Sequence, residues 1–172
     1  MFKIEYKAIY ENCLASDVYD EYYPDIVDYF DTVNTVYGDI KITVNASQYG
    51  DIYDISAEMD YGDTCLCVWL QKLLEACIVL HSGTEYRIRE IECEDVFLYF
   101  EKNENTDLSV TYLCRGKTEW TETISYKEFF DEVICKAQKF IDDLCGYNGR
   151  MAYSPVVSRI KAKLAELKKE IC

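Results

Sequence analysis

Along the start of the chain apolar and polar side chains alternate: Phe2, Ile4, Tyr6, Ala8 and Tyr10 stand against Lys3, Glu5 and Lys7. A period of two predicts a strand with one face buried. Residues 39–45, DIKITVN, repeat the pattern with Ile40, Ile42 and Val44 on one face, between turn signals at Gly38 and in NASQYG. DIYDISAEM, residues 51–59, is a weaker strand or an irregular connection. The period then lengthens. TCLCVWLQKLLEACIVLHSG predicts a helix with Asp63 or Thr64 as its cap and Gly83 at its close. Gln71, Lys72 and Glu75 alone break its apolar surface, which predicts burial on most sides.

Four strand patterns follow in hairpin order: EYRIREIEC, DVFLYFEK, LSVTYLCRG and KTEWTETIS, with NENTD as the turn between the second and third. Strands joined this closely are antiparallel. In SYKEFFDEVICKAQKFIDDLCG, Ser125 and Glu128 have capping-box spacing. Phe130, Val133, Ile134, Ala137, Phe140, Ile141 and Leu144 form a helical stripe that Gly146 ends. The last helix starts with Ser154 as cap and Pro155 at its first position, and Val157, Ile160, Leu164, Leu167 and Ile171 line one face. The expected fold is therefore α+β. An antiparallel sheet carries two long helices on one face and a basic C-terminal helix. No repeat or linker divides the chain, so residues 1–172 read as a single globular domain, with 150–172 as the basic amphipathic helix.

The 172 residues carry a net charge of −14, unevenly spread. Residues 1–149 hold 12 basic and 30 acidic side chains, a balance of −18, and residues 150–172 hold 6 and 2, a balance of +4. An acidic body repels nucleic acid and anionic membrane and attracts basic partners. MFKIEYKAIYENC lacks the basic start and apolar run of a signal peptide, and the apolar run CLCVWL is far too short to span a membrane. These features predict a cytoplasmic protein that contacts neither nucleic acid nor membrane. The nine cysteines are odd in number and irregular in spacing, which predicts reduced, mostly buried thiols, with Cys172 the most reactive.

Catalytic reagents are hard to assemble from this chain. Cys77 precedes His81, the one histidine, by a helical turn, but Cys77 sits in an apolar stretch near Glu75 and Glu85 that disfavours a thiolate. Cys65 and Cys67, two apart on a predicted helix, point in different directions, and no second ligand pair exists to close a zinc site. The acids at 51, 54, 58, 60 and 63 are off the calcium-loop register, and no phosphate-binding glycine loop occurs. The expectation is a protein without catalytic residues, metal or cofactor. A carboxylate-dependent enzyme is a third reading, which needs two acids converging in one cleft.

Residues 17–31, DVYDEYYPDIVDYFD, contain six carboxylates, four tyrosines and no base. As a helix from Pro24, the segment sets Asp25, Asp28 and Asp31 on one side, where like charges cost stability. Tyrosine supplies contact area at low entropy cost, and acid among tyrosine suits a partner rich in lysine or arginine. Asp17, Asp20, Glu21, Tyr22, Tyr23, Asp25, Asp28 and Asp31 are accordingly the candidate partner-binding surface, against the competing reading of a solvated face. The alternative function is a small-molecule-binding module whose aromatic pocket is lined by Phe97, Tyr99, Tyr112 and Trp120.

The order of YGDIKITVN, CLCVWLQKLLEACIVLHSG, strand hairpins and EFFDEVICKAQKFIDDL, across roughly residues 37–145, resembles small acidic bacterial immunity-type proteins. The resemblance implies an α+β inhibitor that blocks a toxin by covering a basic active site. The basic helix departs from a uniformly acidic blocker. Its Lys161, Lys163, Lys168 and Lys169 suit docking on the acidic face of its own domain or of a second copy, the latter giving a homodimer.

Overall fold

In the computed structural model, which describes residues 1–8, 36–52, 64–90, 94–103 and 106–171, β1 (Phe2–Ala8) pairs antiparallel with β2 (Tyr37–Val44). The register sets Phe2 opposite Val44, Ile4 opposite Ile42 and Tyr6 opposite Ile40. The alternation therefore resolves into one buried face, with Phe2, Ile4, Ile40, Ile42 and Val44 in the core and Lys3 and Lys7 in solvent. On its other side β2 pairs with β3 (Ser47–Tyr49) and with the short β4 (Thr64–Cys65). Residues 53–63, which contain most of the weaker strand pattern, lie outside the described residues.

Gly38 sits where three elements crowd. A Cβ there would overlap the Lys7 carbonyl oxygen and come within 2.8 Å of Leu66 Cδ1. Absence of a side chain thus lets β1, β2 and the next helix meet. That helix, α1 (Leu66–Ser82), has Cys65 at its N-cap position in place of the expected Asp63 or Thr64, because Thr64 and Cys65 are drawn into pairing with Gly38 and Tyr37. It ends at Gly83, whose N–H donates to Val79 O. Trp69, Leu70, Leu73, Leu74, Ala76, Cys77 and Leu80 are all buried, as a nearly all-apolar helix requires.

β5 (Glu85–Arg89), β6 (Val96–Lys102), β7 (Asp107–Cys114) and β8 (Lys117–Ser125) then form a second antiparallel sheet in sequential order. The fold is α+β, but with two antiparallel sheets in place of the single one expected. One link between them is lateral and polar. Asn45 Nδ2 donates to Glu122 Oε2 at 3.0 Å and to Thr123 O at 3.1 Å, and Ser47 Oγ donates to Glu122 Oε1 at 2.9 Å. Side chains, not a backbone ladder, join the β2–β3 turn to β8, so the pairing breaks there.

α2 (Tyr126–Tyr147) follows β8 directly. Ser125 is its N-cap, yet the Ser125 side chain makes no capping hydrogen bond, so the capping box does not form. Glu128 is used elsewhere: its Oε1 accepts from Phe2 N–H at 2.8 Å. One turn on, Glu132 Oε1 accepts from Ile4 N–H at 2.8 Å. Four helical residues rise about 6 Å and two strand residues about 6.6 Å, so carboxylates at 128 and 132 fall opposite alternate amides of the β1 edge. Phe129 is fully buried, 5.0 Å from the Phe2 ring and 5.1 Å from the Phe100 ring, and so joins the two sheets through their apolar faces.

α2 continues through Gly146 to Tyr147, and a 3-10 turn (Gly149–Tyr153) leads to α3 (Pro155–Ile171). Ser154 caps α3, its Oγ accepting from Val156 N–H at 3.1 Å. Val156, Val157, Ile160, Leu164 and Leu167 are buried, where α3 meets α1 and α2.

Candidate functional site

Asp17, Asp20, Glu21, Tyr22, Tyr23, Asp25, Asp28 and Asp31 all fall within residues 9–35, outside the described residues. The aromatic quartet is described, and it does not converge. Register sets Leu98 opposite Tyr112 and Tyr112 opposite Trp120, so Tyr112 and Trp120 share the face that carries Leu98, Phe100 and Val110. Phe97 and Tyr99 oppose Leu113 and Thr111 on the other face. A sheet one strand thick separates the two pairs, and the four cannot line one pocket.

Each pair has its own role. Tyr112 and Trp120 extend an aromatic row in which Tyr49 lies 5.1 Å from Trp69 and 5.4 Å from Tyr112, and Tyr112 lies 5.8 Å from Trp120. Trp120 Nε1 donates to Gln48 O at 3.0 Å, tying β8 to β3. On the outer face the Arg87 guanidinium lies 3.4 Å from the Phe97 ring centroid, and Tyr99 O–H donates to Glu85 Oε2 at 2.5 Å. The bond to Glu85 pushes the Tyr99 pKa up to about 12, and burial does the same for Tyr112. The Tyr99 hydroxyl thus serves as a structural donor that ties β6 to β5.

Concave regions lie beside α1, α2 and the first sheet. A cleft of about 290 Å³ lies between the last turn of α1 and the first turns of α2, lined by His81, Tyr126, Lys127, Phe130 and Asp131. Lys127 and Asp131 form an ion pair at its rim. Tyr126 is fixed from behind, its hydroxyl donating to Cys77 O at 2.9 Å and its ring facing Lys102 Nζ at 5.0 Å. Lys102 Nζ in turn donates to the Leu80 and His81 carbonyls that end α1. Sequence reasoning passed over Tyr126 and Phe130 as parts of a surface, because Phe130 belongs to the helical stripe and nothing local brings His81 to it.

The second is smaller, about 160 Å³, lined by Asp39, Ile40, Tyr49, Gly50, Asp51, Thr64 and Glu90. Asp39 is a buried acid, 8% exposed, and Lys41 Nζ stands 3.9 Å from Asp51 Oδ1. Among the described residues no three histidine, cysteine or carboxylate side chains are grouped as a metal ion requires. Burial pushes the Cys77 thiol far above its ordinary pKa, which leaves it a poor nucleophile. His81, on the exposed end of the same helix, is solvent-facing. Cys65 lies in β4 and Cys67 in α1, so that pair straddles a strand–helix junction.

Comparison with protein-family models, curated proteins and solved structures finds no match to the chain. Among the described residues no helix is long and apolar enough to cross a membrane.

Proposed function

We propose that this chain is an acidic interaction protein of the immunity type, which binds a basic protein, such as a toxin, in the cytoplasm and has no catalytic activity of its own. One observation carries the reading: six carboxylates and four tyrosines without a base in residues 17–31, on a chain of net charge −14. Asp17, Asp20, Glu21, Asp25, Asp28 and Asp31 steer and hold the cationic partner, and Tyr22 and Tyr23 supply contact area and cation–π attraction. In this reading the two long helices form one layer over the sheets and the basic C-terminal helix closes it. The test is affinity capture from the native cell at low and high salt, followed by titration of the captured basic protein. The triple variant D20K/E21K/D28K is expected to bind it more than about tenfold more weakly, mainly through a slower on-rate. Unchanged affinity would remove this surface from the reading.

A second reading, a small-molecule-binding module, is favoured by the cleft at His81, Tyr126 and Phe130, which replaces the dispersed quartet as its site. Phe130→Ala is expected to abolish any ligand binding that the D20K/E21K/D28K variant retains.

A further inference from the structure

The outer edge of β5 is unpaired among the described residues. Lys102 N–H donates to Thr84 O and Glu90 N–H donates to Val96 O, which turns the backbone groups of Thr84, Tyr86, Ile88 and Glu90 toward β6. The N–H and C=O groups of Glu85, Arg87 and Arg89 consequently point away from the sheet. Their N–H groups donate to no described backbone oxygen, while Arg89 O accepts from Lys72 Nζ at 2.7 Å. The strand contains no proline and its pairing with β6 contains no bulge. Such an edge can template another strand, and its charged side chains, Glu85, Arg87 and Arg89, then restrict which strand it accepts.

The side chains on this edge are self-complementary. When two antiparallel copies of β5 pair about a two-fold axis at Arg87, Glu85 of each copy faces Arg89 of the other. Both residues are exposed on the same outer face of the sheet. The two Arg87 side chains meet at the axis, but each guanidinium is already drawn onto its own Phe97 ring. Sliding the register by one hydrogen-bonded pair sets Arg87 against Arg89, a like-charge contact, in one direction and Glu85 against Arg87 in the other, and either slide leaves one outward residue of each strand without its counterpart. The central register alone sets all three outward-facing residues of each strand opposite one another, with two opposite-charge pairs and each Arg87 on its own Phe97. We propose that two copies of this chain dimerise by antiparallel pairing of their β5 edges, joining two four-stranded sheets into one of eight. The interface is isologous, as a two-fold dimer requires. It does not depend on the acidic segment that carries the proposed function.

The test is sedimentation velocity on the full chain over a concentration series. Salt of about 0.15 M shortens the reach of the repulsion between two acidic copies to about 8 Å. The wild type is expected to show a concentration-dependent dimer. E85R and R89E each place like charges opposite one another twice per dimer, and each is expected to raise Kd by about tenfold or more. E85R/R89E restores opposite charges in reversed order and is expected to return to within about threefold of wild type. Because E85R also removes the Tyr99 hydrogen bond, amide hydrogen exchange on the wild type gives a check free of variants. The Glu85, Arg87 and Arg89 amides are expected to slow as the dimer fraction rises. A wild type that stays monomeric up to about 1 mM, a dimer indifferent to R89E, a double variant no tighter than the singles, or edge amides that exchange alike at all concentrations would each overturn the proposal.

Discussion

The backbone N–H of Ile4 donates to the Glu132 carboxylate at 2.8 Å, so a helix side chain closes the edge of a strand. Glu128 does the same for Phe2. An edge strand left open invites pairing with another chain, and α2 covers this one with charged acceptors. Glu132→Ala leaves the Ile4 N–H without its partner and is expected to lower stability by about 1.5–2 kcal/mol. Glu132→Gln keeps an oxygen acceptor and should lose less. Urea denaturation of the two variants checks this, and equal losses would assign the effect to the Glu132–Lys136 ion pair instead.

Asp143 accepts from Tyr6 O–H at 2.7 Å and from Lys139 Nζ at 2.5 Å. Burial pushes its carboxyl up, but the bonds from Lys139 and Tyr6 outweigh burial and hold it below its ordinary value of 3.8. Hydrogen bonds from Asn45 and Ser47 likewise hold Glu122 below 4.5, and one from Lys3 lowers Glu5. A carboxyl whose folded pKa is depressed stabilises the fold above its unfolded pKa, and that contribution is lost as pH falls through the folded value. The thermal midpoint is therefore expected to fall below about pH 4. Asp143→Asn should fall less steeply there and be less stable than wild type at neutral pH, as differential scanning calorimetry across pH would show.

Phe129 touches Phe2 of the first sheet and Phe100 of the second and is fully buried. Phe129→Ala should cost about 3–5 kcal/mol through lost transfer energy and the cavity left behind. Because one side chain serves both sheets, circular dichroism is expected to show them unfolding together. Two separate transitions in the wild type would contradict that coupling.

Gly38→Ala forces a methyl group against the Lys7 carbonyl and Leu66. Either β1 must shift or α1 must move, and the expected loss is about 1–3 kcal/mol. A thermal midpoint equal to wild type would show that the junction yields more easily than its geometry implies.

Cys135 is exposed on α2, whereas Cys67 and Cys77 are fully buried. Brief treatment with iodoacetamide should modify Cys135 and spare Cys67 and Cys77 until denaturant is added, read by peptide mass spectrometry. Early modification of Cys77 would mean that the end of α1 opens locally. Cys172, expected from sequence to be the most reactive thiol, lies outside the described residues.

Much of the secondary structure was legible because it follows from short-range periodicity. The alternation of Phe2, Ile4 and Ile40, Ile42, Val44, the Ser154–Pro155 start of α3 and the Gly83 stop of α1 each depend on residues within a turn or two. The aromatic quartet failed for a reason of register. Thr106 takes a positive φ of 65°, and the Asn103–Asp107 turn it helps close pairs odd residues of β6 with odd residues of β7. One residue more or less in that turn would have put Phe97 and Tyr112 on one face. The capping box failed by competition. Ser125 and Glu128 have the right spacing, but the amide of Phe2, distant in sequence, claims the Glu128 carboxylate.

By itself the sequence determined the α+β class, the helix and strand periods, the acidic body with its basic tail and the chemistry concentrated in residues 17–31. These are properties of composition and of neighbours along the chain. Only the tertiary structure decided that the strands divide into two sheets, that α2 closes the β1 edge while β5 keeps an edge unpaired among the described residues, and that His81, Tyr126 and Phe130 meet in a cleft. Those outcomes rest on contacts between residues far apart in the chain. Such contacts are selected by which buried surfaces and backbone groups find partners when the whole chain packs, and no local pattern encodes that choice.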